Sequence, residues 1–575
     1  MKTKTNKIAL CTLYMVLLYI VLVFGFASCD LDYYPSDEQS SDVIMKEASS
    51  AVMDGCYALM KDEVEYLGWP SGNSYCRHYF QLAEFPADNT CVSGKSTDPL
   101  FQAATYTMTD NLQNVGTLWM LAYKIIYMAN TVIEALDEAN AEDRQIVGEA
   151  YFVRALIHHN LVTLFAMPYS YGTSNKGIPL RTSSISGETK RNTVGEVYDQ
   201  IVEDLKKAAS LMSNEPRLSG NYGYPTKDAA LGLLSRVYLF MGNYTDCINT
   251  VDKMMGGSAT PAALDGKLDH NFASYFANAK TSSETLFCIA HEATEDRGQS
   301  SIGSMYNAEG GGWGEIYPSF PLLNLYERYP TDVRYTAFIK PQYKSGTASE
   351  KESVYLPKGN AGSEDMRSVA TFTATKDESG NYTFTSGGTT YTLVNKGGEY
   401  TEYHVDYKGE DLIVRVMPSN MIARNSHPKF FVTKFGYQDG SPTLSSPVVL
   451  RWGEVILNAA EAYARNGNAD KALVLVDVIR HRAGIPDAGL FTDGNTVTNM
   501  HGYTDAIDVV MDERRMELAF EGHRMFDVYR NQKDMDRHYP GFQQWNTVSH
   551  LDNHIVYPIP NGEWTVSHIE QNPGY

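Results

Sequence analysis

Two distant stretches of this chain share one pattern. Tyr238, Gly242, Asn243 and Cys247 recur as Tyr463, Gly467, Asn468 and Ala472 with the same offsets. In each case an amphipathic helical stretch precedes the glycine and another follows it. Glycine just past a periodic stretch is a helix stop, because it takes a left-handed backbone without steric cost. A small residue early in the next helix lets two antiparallel helices approach closely. The pattern therefore specifies helical hairpins. Two copies are too few and too scattered for a solenoid alone, so other material must complete the core.

The surrounding sequence supports a helical scaffold. Val43 to Met60 is amphipathic. Leu118, Ala122, Ile125, Ala129, Val132 and Leu136 fall on one stripe at three- and four-residue spacing. A further helix is expected over about Arg144–Phe165. Thr193 with Glu196 reads as a capping box opening the next, and Thr226 as the cap of one that ends at Gly242. The hairpins follow the Tyr-x3-Gly-x4-Ala spacing of tetratricopeptide repeats. Residues from about 256 to 447 are instead rich in Gly, Ser, Thr, Tyr and Pro. Thr371 to Val394 alternates in strand fashion around turns at Ser379-Gly380-Asn381 and Gly387-Gly388. The expected fold is mainly α. A tetratricopeptide-like scaffold (about 43–255 and 448–530) carries a long, irregular, loop-rich insertion (about 256–447) with short β-hairpins, all within one domain from 29 to 575.

Asp505 to Arg530 is the most charged helical stretch. Glu513, Glu517 and Glu521 repeat every four residues on one face, with Arg524 close by. Carboxylates interleaved with arginine are neutralised by it, so a structural ion network is expected rather than an acid–base stripe. Trp119 and Trp452 lie on apolar stripes and are expected in the core. His158 and His159 are adjacent on a helix, so they point to different faces and cannot chelate together.

The amino terminus sets the address. Lys2, Lys4 and Lys7 precede a nearly unbroken apolar run from Ile8 to Ala27, which ends at Phe26-Ala27-Ser28-Cys29. This is the layout of an export signal (1–28) with Cys29 as the lipid-bearing first residue of the mature chain. The alternative is a retained membrane helix, since about 20 apolar residues span a bilayer. Phe26 stands where lipoboxes usually carry Leu. The whole chain carries −21, and without its three leader lysines −24. Such a surface repels phosphate backbones, so nucleic acid is not an expected partner.

Cys56, Cys76, Cys91, Cys247 and Cys288 remain beyond the leader and Cys29. Five cannot all pair, and no C-x-x-C occurs, so they read as small apolar residues, with a Cys76–Cys91 bridge left open. There is no H-E-x-x-H, G-x-S-x-G, Walker loop or G-x-G-x-x-G after a strand. No cofactor and no catalytic constellation is expected. Carboxylate pairs for glycoside hydrolysis are set by spatial approach, which sequence does not fix.

The order and spacing of many segments resemble the SusD-like (RagB/SusD) family of Bacteroidetes outer-membrane lipoproteins. These include Leu118-Trp119 through Ala129-Asn130, Arg154-Ala155, Gly177-Ile178-Pro179-Leu180 and Ala229-x3-Leu233-x2-Arg236-Val237-Tyr238. They continue with Arg451-Trp452-Gly453-Glu454, Ala460-Glu461-Ala462, Arg480-x-Arg482-Ala483-Gly484 and Glu513-Arg514-Arg515. Glu521-Gly522-x-Arg524, Pro558-Ile559-Pro560 and Gln571-Asn572-Pro573-Gly574-Tyr575 complete the set. The resemblance covers nearly the whole mature chain. It implies a non-enzymatic protein on the outer face of the outer membrane. It also implies a SusC-like TonB-dependent transporter as partner and an oligosaccharide, or sometimes a peptide, as cargo.

Sugars offer apolar C–H faces and hydroxyl edges, so their sites pair aromatic platforms with Asn, Asp, Arg or backbone donors. Two loop stretches carry that combination. One holds Trp69, Asn73, Tyr75, Arg77, Asp98 and Phe101; the other holds Tyr306, Asn307, Trp313 and Tyr317 around Gly310–Gly314. The resemblance favours both regions without confirming individual residues. The leading expectation is a non-catalytic glycan-capturing lipoprotein. The alternatives are peptide or protein capture for the same transporter, or a surface glycoside hydrolase.

Overall fold

The computed structural model describes residues 41–66, 69–72, 74–95, 100–185, 190–360, 363–397 and 400–575. The leader and Cys29 lie outside them. Eleven helices carry the argument: α1 (Ser41–Leu59), α2 (Ser74–Glu84), α3 (Gln113–Ala135), α4 (Arg144–Phe165), α5 (Val194–Leu211), α6 (Lys227–Phe240), α7 (Tyr244–Met254), α8 (Trp452–Arg465), α9 (Ala469–Arg482), α10 (Ala506–Glu517) and α11 (Arg524–Arg530).

Each hairpin forms as its sequence specifies. Gly242 and Gly467 sit at φ 75° and 78°. The amides of Asn243 and Asn468 each donate to the carbonyl of the preceding repeat tyrosine, Tyr238 or Tyr463, at 2.9 Å. Cys247 and Ala472 are fully buried where the paired helices meet. Helices α3 to α7 pack in succession, α8 packs on α9, and α8 also crosses α6, α7 and α10. The α3 stripe from Leu118 to Val132 is buried, as are Trp119 and Trp452. At α5 the expected capping box is present: Thr193 Oγ1 accepts from the Glu196 amide, and Glu196 Oε2 accepts from the Thr193 amide. Thr226 caps α6 by accepting from the Ala229 amide. Cys56, Cys76, Cys91, Cys247 and Cys288 are buried free thiols. Among the described residues no helix is long and apolar enough to cross a membrane.

One expectation needs correction. The stretch 505–530 is not one helix. It breaks after Glu517, where Phe520 adopts φ 70° and Gly522 φ 76°. The cause is tertiary: the buried Glu84 carboxylate at the end of α2 accepts from both the Phe520 and Gly522 amides at 3.1 Å. Glu513, Glu517 and Glu521 are buried in ion pairs as expected, but Arg524 turns away to bind Asp88 at 2.7 Å. The expected hairpins of 256–447 are present and join into two small sheets. A five-stranded sheet runs in the order Val394–Asn395, Tyr403–Tyr407, Glu410–Pro418, Glu352–Asn360, Ser363–Thr373. A three-stranded sheet is centred on Tyr382–Ser386, which turns through Gly387-Gly388 into Thr389–Thr392. Together they enclose a separate core of Val354, Leu356, Phe384, Leu393, Val405, Leu412 and Val414. The rest of the insertion is turns, short strands such as Ile316–Pro318 and Ile339–Pro341, and three short helices, Pro261–Asp265, Phe320–Glu327 and Val333–Phe338.

Helix α4 places two imidazoles inside the core. His158 and His159 are buried, and burial pushes both down to about 3. Their ordinary value is 6.5, so between pH 6.5 and 3 the unfolded chain binds protons that the folded chain does not. Stability is therefore full above pH 6.5 and falls as pH drops through that window, by at most about 1.4 kcal/mol per pH unit for each imidazole. Glu84 opposes this: burial raises it to about 7, which favours the folded state at lower pH. His291 and His523, also buried and pushed down to about 4, add to the histidine side. The melting temperature should fall on acidification below pH 6.5, and His158→Gln with His159→Gln should flatten that slope.

Candidate functional site

The glycine-rich segment folds into a closed excursion on the protein surface. Short turns at Gly298–Ser300, Gly303–Met305 and Glu309–Gly311 lead into the strand Ile316–Pro318, which pairs antiparallel with Thr90–Val92. The base of the excursion is sealed by backbone bonds. The amides of Trp313 and Gly314 both donate to the Ser304 carbonyl, at 2.6 and 2.9 Å, and that of Glu315 donates to Met305. The Gln299 side chain donates to the Gly311 carbonyl at 3.0 Å. Held this way, Trp313 is 49% exposed, the most of any tryptophan whose side chain is described.

Polar groups stand on the same loop and on the 437–443 turn bonded to it. Buried Asn307 donates through Nδ2 to the Tyr437 hydroxyl at 3.1 Å, and that hydroxyl donates to Glu309 Oε2 at 2.6 Å. Burial, with the Glu309 carboxylate beside it, pushes Tyr437 up to about 12, so it remains a neutral donor. Asp296 accepts from Ser441 Oγ at 2.6 Å and Thr443 Oγ1 at 2.8 Å, fastening the 437–443 turn to the loop. Partial burial would raise Asp296, but the hydrogen bonds from Ser441, Gly298 and Thr443 outweigh it and keep it ionised. The loop thus carries an exposed ring together with a bonded set of hydroxyl, amide and carboxylate groups, with no cluster of metal-ligating residues among those described.

Gly312 makes the loop possible. A Cβ there would lie 2.0 Å from the Asn307 carbonyl oxygen and 3.1 Å from the Ser304 Cα. Both obstacles are backbone, so the loop itself would have to move. Gly312→Ala should cost about 1–3 kcal/mol of stability through overpacking. It should also displace Trp313, so that melting and ligand titration both shift.

The structure brings the two sequence-expected regions together only in part. The hairpin Val64–Tyr66/Trp69–Ser71 pairs Tyr66 with Trp69. It leads to Gly72, where a Cβ would stand 3.2 Å from Ser300 Cβ, so this turn packs against the start of the Trp313 loop. Arg297 reaches Asp62 at 3.5 Å, and Lys61 reaches Glu295 at 2.6 Å, tying the same edges together. The Trp69 backbone therefore lies in a hairpin beside the loop. Asn73 and Asp98 lie outside the described residues.

The other expected residues point elsewhere. Tyr75 is buried in α2, stacked on Tyr79, and its hydroxyl accepts from Asn160 at 2.8 Å. Arg77 is half-buried with Nη2 at 3.3 Å from His78 Nε2. Phe101 is half-buried against the main core. Tyr306 is buried among Phe85, Phe435 and Phe520. Tyr317 is buried in the strand opposite Cys91. With their faces covered, Tyr75, Tyr306 and Tyr317 serve as core residues in this conformation rather than as platforms. Tyr437 and Glu309 were not singled out from sequence; the only local signal was an aromatic inside the turn-rich Gly436–Gly440 segment.

Comparison with known proteins agrees with this architecture. A family model described as "Starch-binding associating with outer membrane" matches residues 32–239, and the SusD family model matches residues 269–575. SusD-like protein P2 of Formosa agariphila is 22% identical, with 97% of this chain and 99% of that protein covered. A SusD superfamily protein of Bacteroides vulgatus superposes with a TM-score of 0.63 at 23% identity, covering 92% of this chain and 99% of that one. Surface glycan-binding protein A of Bacteroides fluxus superposes with a TM-score of 0.58 at 17% identity, over 92% of this chain and 99% of its own. The paired helical hairpins, the inserted loop region and a family model spanning more than half of the sequence lead to one assignment: this chain belongs to the SusD family.

Proposed function

We propose that this protein is a non-catalytic glycan-binding lipoprotein that captures oligosaccharide at the cell surface. The observation that carries the reading is the Trp313 loop, a half-exposed indole on a backbone-sealed excursion that also carries Asn307 and Glu309, both bonded to Tyr437. An indole face matches the C–H face of a sugar ring, and neutral hydroxyl and amide groups match its edge. Trp69 is a second contact, supported by its hairpin's place beside the loop. Family membership supports delivery to a SusC-like TonB-dependent transporter, and Cys29 would hold the protein on the outer face of the outer membrane. Tethering beside a pore lowers the affinity the site needs, because local concentration substitutes for tight binding.

The test is direct. Purified protein is titrated with a panel of neutral oligosaccharides while released reducing ends are followed. Saturable binding without turnover is expected. Robust release of reducing ends would overturn the non-catalytic reading, and co-purification with a transporter without affinity for any glycan would favour peptide or protein cargo.

A further inference from the structure

A concavity whose edge runs along the chain into the Trp313 loop plays no part in the site described above. It is a cleft of about 330 Å³ between the C-terminal half of α1, the segment 221–224 and the chain from Phe287 to Glu295. That volume falls at the small end of the roughly 300–1,000 Å³ typical of ligand pockets. Its floor is apolar, formed by Met60, Phe287 and Ile289, all buried. On one wall Tyr57 and Tyr224 meet edge to face, with centroids 5.5 Å apart. Close approach of the walls is built in, since a Cβ on Gly223 would lie 2.5 Å from Ala290 Cβ.

The rim is polar but internally neutralised. Lys61 pairs with Glu295 at 2.6 Å, Lys280 with Glu292 at 2.8 Å, and Arg217 with Asp54 at 2.6 Å. Arg217 also lies over the Tyr224 ring at 4.5 Å. Each rim carboxylate already has its cation, so an ionic ligand would have to displace an existing partner. A neutral polyhydroxylated ligand would not. It could rest an apolar face on the floor and tyrosine rings and direct hydroxyls to carboxylate oxygens, which accept in more than one direction. Glu295 spends Oε2 on Lys61 and on the Glu292 amide, leaving Oε1 for such a donor.

The edge of the cleft is joined along the chain to the Trp313 loop. Glu292 and Glu295 form that edge, and the same chain runs on through Asp296 and Arg297 to Gln299, which is bonded to Gly311. We propose that this cleft is a second sugar subsite, which takes a neutral ring of the same glycan chain whose other end stacks on Trp313. The proposal rests on the glycan reading of the Trp313 loop.

The test compares wild type, Trp313→Ala, Tyr224→Ala and Ala58→Phe, the last of which fills the cleft from α1. Short and long members of neutral malto-, xylo-, manno- and fructo-oligosaccharide series serve as ligands, with melting curves to verify folding. If the cleft is a subsite, Tyr224→Ala and Ala58→Phe leave short chains bound as in wild type. They weaken long chains by roughly tenfold, the scale of one lost aromatic contact. Should Tyr224→Ala fail to fold, Ala58→Phe carries the comparison. Wild-type affinity at every length in the folded cleft variants overturns the subsite while leaving the Trp313 reading intact. Unchanged binding in Trp313→Ala with loss in Ala58→Phe overturns the Trp313 reading and, with it, the two-subsite arrangement, leaving the cleft as a glycan site on its own. No binding by wild type to any series overturns both.

Discussion

Glu517→Ala should destabilise the fold by about 3–5 kcal/mol, the cost of stranding buried charge. Glu517 is buried and accepts from Arg451 Nη1 at 2.5 Å, from Arg334 Nη1 at 3.2 Å and from Arg482. The network extends further. Arg451 also holds Glu284 and Glu521, both at 2.9 Å. Arg334 holds Asp332 at 2.7 Å and Glu513 at 2.5 Å, Arg480 holds Glu513 at 2.9 Å, and Lys434 holds Glu521 at 2.8 Å. Its carboxylates are Glu284, Asp332, Glu513, Glu517 and Glu521; its cations are Arg334, Lys434, Arg451, Arg480 and Arg482. The two sets balance, and removing one acid leaves an uncompensated buried cation.

The partners come from α9, α10, the chain before α8 and the insertion, so the network locks the insertion to the scaffold. Chemical denaturation should show the loss as a lowered midpoint, and Glu517→Gln, which keeps the shape without the charge, should act in the same direction. Burial would raise the Glu517 carboxyl, but Arg482, Arg451 and Arg334 outweigh it and hold it well below the ordinary carboxylate range. Its contribution is therefore present above the ordinary glutamate value of 4.5 and is lost as pH falls toward the lower folded value. Wild-type behaviour in both variants would contradict this account of the network.

Trp313→Ala should weaken glycan binding by about thirtyfold, roughly 2 kcal/mol, without a matching loss of stability. The indole is 49% exposed, and the hydrogen bond its residue gives to Ser304 is made by the backbone amide. Alanine preserves that bond and the loop's seal, so the change in stability should stay within about 0.5 kcal/mol, as for a surface substitution. Trp313→Phe, which keeps a smaller ring, should retain part of the affinity. A binding loss accompanied by a large fall in melting temperature would mean that the loop, not the indole, had been disrupted.

What could be read from sequence divides along a physical line. Features set by neighbouring residues were legible: the Thr193 capping box, the Thr226 cap, the left-handed Gly242 and Gly467, and the buried α3 stripe. Features set by distant residues were not. The break between α10 and α11 depends on Glu84, more than 400 positions away in the chain. The sheet around Glu352–Asn360 was obscured by Pro357, which argues against an interior strand. The structure accommodates it because Glu410–Pro418 pairs only as far as Tyr355, so at Pro357 the strand has one neighbour, Ser363–Thr373.

The site divides in the same way. Tyr306, Trp313 and Tyr317 look alike as aromatics in a glycine-rich stretch. Burial separates them: Tyr306 meets Phe85, Phe435 and Phe520, while Tyr317 enters a strand against Thr90–Val92. Only Trp313 is left facing outward. Tyr437 entered the site through a contact across 130 positions, with Asn307, that no local pattern encodes.

The central claim is that the Trp313 loop is where glycan is held. A crystal structure of the protein with an oligosaccharide selected by the titration panel tests it most directly. A sugar ring stacked on the Trp313 indole, with hydroxyls bonded near Tyr437, Asn307 and Glu309, is the predicted result. Oligosaccharide bound elsewhere on the protein, with the Trp313 face bare, would contradict it.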